Sequence, residues 1–108
     1  MMKEGLLLVA AVLALTACPL QKTECHRVVK DLERELATLP STCTKDSDCT
    51  CYVGGVSGVT KCGGASDLAT AVRVGKLTEE YGSSHCLPVD NCAASLCTAR
   101  CVSGRCSM

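Results

Sequence analysis

Eleven cysteines in a 108-residue chain dominate what this sequence can fold into, and they divide into one and ten. Cys18 stands apart, after an unbroken apolar run from Leu6 to Leu15 and the small residues Thr16 and Ala17. The others are Cys25, Cys43, Cys49, Cys51, Cys62, Cys86, Cys92, Cys97, Cys101 and Cys106, set in a polar, glycine-containing stretch. Eleven in 108 exceeds the roughly 8–10 % that marks a short exported chain as a disulfide scaffold. Ten is even and closes five disulfides, whereas an odd cysteine in an exported protein needs its own explanation. The remaining composition makes crosslinks necessary. Tyr52 and Tyr81 are the only aromatic residues, with no Trp or Phe, so little apolar area can be buried and a small domain needs another source of stability. A disulfide contributes about 2–4 kcal/mol, mainly by restricting the unfolded chain. The expectation is a small disulfide-rich α+β domain, with two amphipathic helices and short strands and loops crosslinked by up to five disulfides. The pairing stays open, since ten cysteines admit on the order of a thousand complete pairings.

The tetrapeptide Leu15-Thr16-Ala17-Cys18 resembles the lipobox of bacterial lipoprotein precursors: an aliphatic residue, a small one, Ala or Gly, then an invariant cysteine. The resemblance covers residues 1–18. It implies that the Cys18 thiol carries a diacylglyceryl group, that residues 1–17 form a signal peptide cut just before Cys18, and that the new amino terminus is acylated. The physical reading of the leader agrees. Its apolar stretch falls within the roughly 7–15 residues of a signal-peptide core and short of the roughly 20 that span a bilayer. Lys3 is offset by Glu4, so the positive start comes from the amino terminus. Two or more acyl chains hold a protein stably on a membrane, so covalent lipid at Cys18 is the expected anchor and no other cofactor is expected. Pro19 stands where Asp favours inner-membrane retention in some Gram-negative bacteria, which points to the outer membrane, on its periplasmic or extracellular face. Residues 18–23 then form a lipidated tether and residues 24–108 one cysteine-rich domain.

Within that domain a helix is expected over 24–39. Cys25, Val28, Val29, Leu32, Leu36 and Leu39 recur at three- and four-residue steps, and Arg27 is spaced to pair with Asp31. Thr23 is a plausible cap and Pro40 a stop. Cys25 on the apolar face would staple the helix to the rest of the domain. A second helix is expected over 67–81, capped by Ser66 or Asp67, with Leu68, Val72 and Tyr81 lining one side and Ala71, Val74 and Leu77 beside them. Gly75 inside it costs about 1 kcal/mol relative to Ala. Between the helices, Thr50–Val53 and Val56–Cys62 are candidate strands joined through Gly54-Gly55. One helical turn is expected around 93–100, and Cys101-Val-Ser-Gly-Arg-Cys106 should form a tight turn clamped by cysteines.

Balanced charge, 11 basic against 11 acidic residues, gives no field to attract nucleic acid, and two tyrosines offer almost no stacking platform for bases. The spacings among Cys43, Cys49, Cys51 and Cys62 depart from paired zinc-ligand spacing, whereas among Cys92, Cys97, Cys101 and Cys106 the step Cys97-x3-Cys101 fits it; exported thiols oxidise, which favours disulfides for both groups. No C-x-x-C redox motif occurs. His26 and His85 each adjoin a cysteine, Cys25 and Cys86, a pairing of types that nucleophilic catalysis uses. However, no Gly-x-Ser-x-Gly or H-E-x-x-H pattern accompanies them, and the chain reads as a non-enzyme. Asp46 and Asp48 lack the glycine and distal glutamate of a calcium loop and fit hydrogen bonding of a turn between crosslinks. The loop 52–61, held between Cys51 and Cys62, is the candidate recognition loop of an inhibitor-like scaffold. As a whole the chain resembles the small cysteine-rich lipoproteins of Gram-negative bacteria, most without an assigned activity. The functional expectation is a lipid-anchored, disulfide-stabilised envelope lipoprotein acting as a binding or structural module, with a membrane and an unidentified protein ligand as partners. A protease inhibitor-like scaffold and a metal-binding or thiol-redox protein are the alternatives.

Overall fold

The computed structural model describes residues 22–93 and 97–108. The leader, Cys18 and the centre of the turn expected near 93–100 lie outside the described residues; beside that centre, 97–99 have no regular structure.

Helix α1 occupies residues 22–36 and buries the expected stripe. Val28 and Leu32 are completely buried, with Cys25, Val29 and Leu36 packed against them. Lys22 is already helical, so Thr23 lies inside the helix and not at its cap. The helix also ends earlier than its apolar spacing suggests. Ala37 closes the last helical turn and Leu39 bonds back to Leu36, so Leu39 falls beyond it in the approach to Pro40, where helical backbone is disfavoured.

Helix α2, Leu68–Ser83, starts where Asp67 accepts the Thr70 N–H at 3.3 Å, the N-cap geometry that satisfies an otherwise orphaned donor. Its buried face is Thr70, Val74 and Tyr81, with Leu77 partly buried beside them. Leu68 and Val72 are instead more than half exposed. The expected face is thus rotated, because Thr70 takes a buried position that counting only apolar residues assigns elsewhere. The helices run antiparallel: Arg27 pairs with Glu80 at 3.0 Å near one end and Glu35 with Arg73 at 2.8 Å near the other. Such exposed pairs contribute about 0–1 kcal/mol each, so burial and crosslinks hold the packing.

Two small antiparallel sheets complete the domain. Strand β1, Cys49–Tyr52, pairs with β2, Gly64–Asp67, in the register Cys49↔Asp67 to Tyr52↔Gly64. The expected partner of β1, residues 56–62, is a compact turn: Val59 and Thr60 both donate to the Val56 carbonyl, and Thr60 Oγ1 accepts the Val56 N–H. Glycine backbone explains the difference. A side chain on Gly54 would meet the Cys62 and Gly63 backbone at 2.3 Å, and Gly55, Gly58 and Gly63 all have positive φ, so the segment folds onto itself before β2 begins. Strands β3, Arg100–Val102, and β4, Arg105–Ser107, form a hairpin closed by Ser103 and Gly104, both at positive φ, as a two-residue turn requires. The C-terminal turn is therefore present, but its cysteines do not clamp it internally. Cys101 and Cys106 face each other across the ladder, and each is bonded to another segment.

Five disulfides join Cys25–Cys86, Cys43–Cys101, Cys49–Cys106, Cys51–Cys97 and Cys62–Cys92. Each links one of the first five of these ten cysteines to one of the last five, across 30 to 61 residues. The fold is a small disulfide-rich α+β domain. Among the described residues the main apolar cluster is Val28, Leu32, Val56, Val74, Tyr81 and Cys86, and it is completed by polar groups with partners. Ser41 Oγ donates to Asp67 at 2.8 Å and accepts the Asp67 N–H at 3.0 Å.

Candidate binding surface

The crosslinked frame holds one loop outward. Cys86, buried and bonded to Cys25, begins it, and Cys92, bonded to Cys62, ends it. Between them Leu87 is 80 % exposed and Val89 57 % exposed. Among the described residues Leu87 is the most exposed large apolar side chain. The backbone around these residues is tied down. Tyr81 Oη donates to the Pro88 carbonyl at 2.8 Å, Ser57 N–H donates to the same carbonyl, and Asp90 N–H donates to the Gly55 carbonyl at 2.8 Å. Val56 and Val89 form an isolated bridge. Burial pushes the Tyr81 phenol pKa above its ordinary value, so the phenol keeps its proton for the bond to Pro88. A loop fixed at both ends and in its middle has little ordering entropy left to lose on binding. Val53, Leu68, Val72, Val102 and Met108 are also exposed, and single exposed apolar residues are ordinary; what sets this loop apart is that its backbone is fixed.

The sequence made the loop 52–61 the candidate recognition loop of the inhibitor-like alternative. That segment does not project: Val56 is 1 % and Thr60 2 % exposed, and Gly55 N–H bonds to the Lys61 carbonyl at 2.8 Å. It serves as the platform on which the 86–92 loop rests. Sequence reasoning missed Leu87 and Val89, although an apolar Leu-Pro-Val triplet between two cysteines of a loop region was visible.

The cysteines weighed as metal ligands are all occupied by sulfur–sulfur bonds. Sγ atoms of Cys43, Cys49 and Cys106 lie within 4.8 Å of one another, because the Cys43–Cys101 and Cys49–Cys106 bridges lie side by side. Cys51 and Cys62 do not join this group and bond instead to Cys97 and Cys92. The acids between Cys43 and Cys49 act on the backbone. Asp48 accepts from the Thr44 N–H and hydroxyl and from the Lys45 N–H; the Thr44 bonds hold its carboxyl pKa low. Asp46 accepts the Cys101 N–H at 2.8 Å and fastens the hairpin. The two cysteines that adjoin histidines, Cys25 and Cys86, are bonded to each other, so neither offers a thiol to His26 or His85.

Charged groups cluster along the helix pair. Arg27 contacts Glu24, Asp31 at 2.9 Å and Glu80, and its bonds to Glu24 and Glu80 raise its pKa. Among the described residues no helix is long and apolar enough to cross a membrane. No protein-family model matches this chain, and no match to it was found among curated proteins or solved structures.

Proposed function

We propose that the chain is an exported lipoprotein, held on a bacterial membrane through acylated Cys18, whose disulfide-locked domain acts as a binding or structural module of the cell envelope. The observation that supports this is cysteine parity. The ten cysteines from Cys25 to Cys106 satisfy one another in five bonds, and the one left over is Cys18, in Leu15-Thr16-Ala17-Cys18. Disulfides persist in oxidising compartments outside the cytosol, consistent with export. In this reading the tether is short and the outer membrane is the preferred location.

Intact mass of protein extracted from its native membranes, alkylated without reduction, tests the proposal. The expected mass is residues 18–108 plus lipid with no alkyl adduct, and Cys18→Ser should move the folded domain from the membrane to the soluble fraction. A lipid-free mass, or unchanged membrane association of Cys18→Ser, refutes the anchor.

A further inference from the structure

We infer that the Leu87-Pro88-Val89 loop is a second membrane contact, which lies on the lipid leaflet that holds Cys18 and fixes the orientation of the domain. The inference rests on the lipid-anchor reading and adds a surface to it.

Its basis is the short chain between anchor and fold, and where that chain arrives. Four peptide steps separate Cys18 from Lys22, the first described residue of α1, and four extended residues reach at most about 14 Å. The start of α1 therefore stays close to the acyl chains. One helical turn further on, Cys25 is bonded to Cys86 with their Cα atoms 5.7 Å apart, and Leu87 follows immediately. The antiparallel helices reinforce this polarity. The carboxyl end of α2, from Glu80 to Ser83, lies beside the start of α1 through the Arg27–Glu80 pair. The end of α1 is about 21 Å further along its axis. Beyond it Thr42 bridges to Arg105 of the C-terminal hairpin, so this hairpin is at the other end of the domain.

The exposed chemistry at the anchored end fits a leaflet. Leu87 and Val89 present aliphatic groups to solvent from a loop whose Pro88 carbonyl and Asp90 N–H are already paired within the domain, so those two polar groups lose no water on entering the interface. The acyl chains on Cys18 already give stable attachment, and what a second contact adds is a fixed orientation of the domain on the leaflet. A rigid apolar loop within reach of the anchor supplies such a contact without a transmembrane helix.

The chain contains no tryptophan, so a single reporter can be placed at will. Leu87→Trp and, as the remote control, Thr42→Trp are prepared as full-length precursors and processed in cells. Each lipidated protein is reconstituted into phosphatidylethanolamine–phosphatidylglycerol vesicles with or without brominated acyl chains. Both positions are exposed, so neither substitution disturbs the core. Brominated chains should quench the indole of the Leu87→Trp protein at least twofold, with a blue-shifted emission, and leave that of the Thr42→Trp protein unchanged. Equal or absent quenching in the two variants, in protein whose mass carries lipid and which floats with vesicles, overturns the loop contact and leaves the anchor standing. Protein without lipid mass that fails to float overturns both.

Discussion

Removing the Cys25–Cys86 bridge by a paired Cys25→Ala/Cys86→Ala change is the perturbation that best separates crosslink from core. The two residues are 61 apart in sequence, and the chain-entropy relation assigns a loop of that size about 4.3 kcal/mol. The other bridges shorten the relevant loop. Through Cys43–Cys101 the closed path falls to about 35 residues, which still corresponds to about 3.8 kcal/mol. Cys86 is also a member of the small core, 3 % exposed, and losing its sulfur removes some packing. The expected loss is therefore about 4 kcal/mol, a large share of the roughly 5–15 kcal/mol of a typical domain. Guanidinium unfolding followed by circular dichroism measures it. Because the crosslink acts on the unfolded chain, the variant should also show a steeper denaturant dependence, since more surface is exposed on unfolding. A loss below about 1 kcal/mol with an unchanged slope would refute the reasoning and place the stability in the apolar core.

Two glycines should respond in opposite directions. Gly75→Ala lies inside α2 with nothing within 4 Å of the added carbon, so it should raise stability by about 0.5–1 kcal/mol; Gly54→Ala meets the Cys62–Gly63 backbone at 2.3 Å and should cost at least about 2 kcal/mol, both read by thermal or denaturant unfolding. Asp67→Ala removes the acceptor of the Thr70 N–H and of the Ser41 hydroxyl and should cost about 1 kcal/mol near neutral pH. The bond with Thr70 holds the Asp67 carboxyl below its ordinary pKa, so its contribution is complete above the unfolded value near about 4 and vanishes as pH falls through the lower folded value. The stability gap between wild type and Asp67→Ala should accordingly be constant from pH 7 to about 5 and close in stronger acid; a gap that widens in acid would contradict the sign.

The parts of this fold legible in the sequence were those written in local periodicity. The stripe from Cys25 to Leu36, the Arg27–Asp31 pair and the Asp67 cap each depend on residues within a turn or two, and all are present. What was not legible depended on contacts across the chain. The partner of β1 is set by backbone crowding between Gly54 and Cys62–Gly63, and residue propensity does not encode that distance. The buried face of α2 turned because Thr70 is a buried polar residue, 2 % exposed, and its burial is made tolerable by the Arg73 guanidinium, which donates to its hydroxyl at 3.3 Å. The inward fold of 52–61 was not legible for the same reason. Cysteines flank both 52–61 and 87–91, and only the hydrogen bonds to Val56 and Pro88 decide which segment turns inward and which outward.

The disulfide pattern explains why so small a core suffices and why the domain has two distinct ends. Had neighbouring cysteines paired, each crosslink would have closed a short loop and left the two halves of the chain to find each other by apolar contact alone. With fewer than ten core residues, that contact is weak. Pairing the first five of these cysteines with the last five instead fastens half to half at five points, and loops of 30 to 61 residues restrict the unfolded chain more than short ones do. Four of the bridges bind the segment 43–62 to the segment 92–106. The fifth alone fastens the start of α1 to the end of α2. Cys25–Cys86 thus fastens the start of α1 to the residue before Leu87, while the bonds of Tyr81 and Ser57 to Pro88 and the Cys62–Cys92 bridge hold the loop on the rest of the domain.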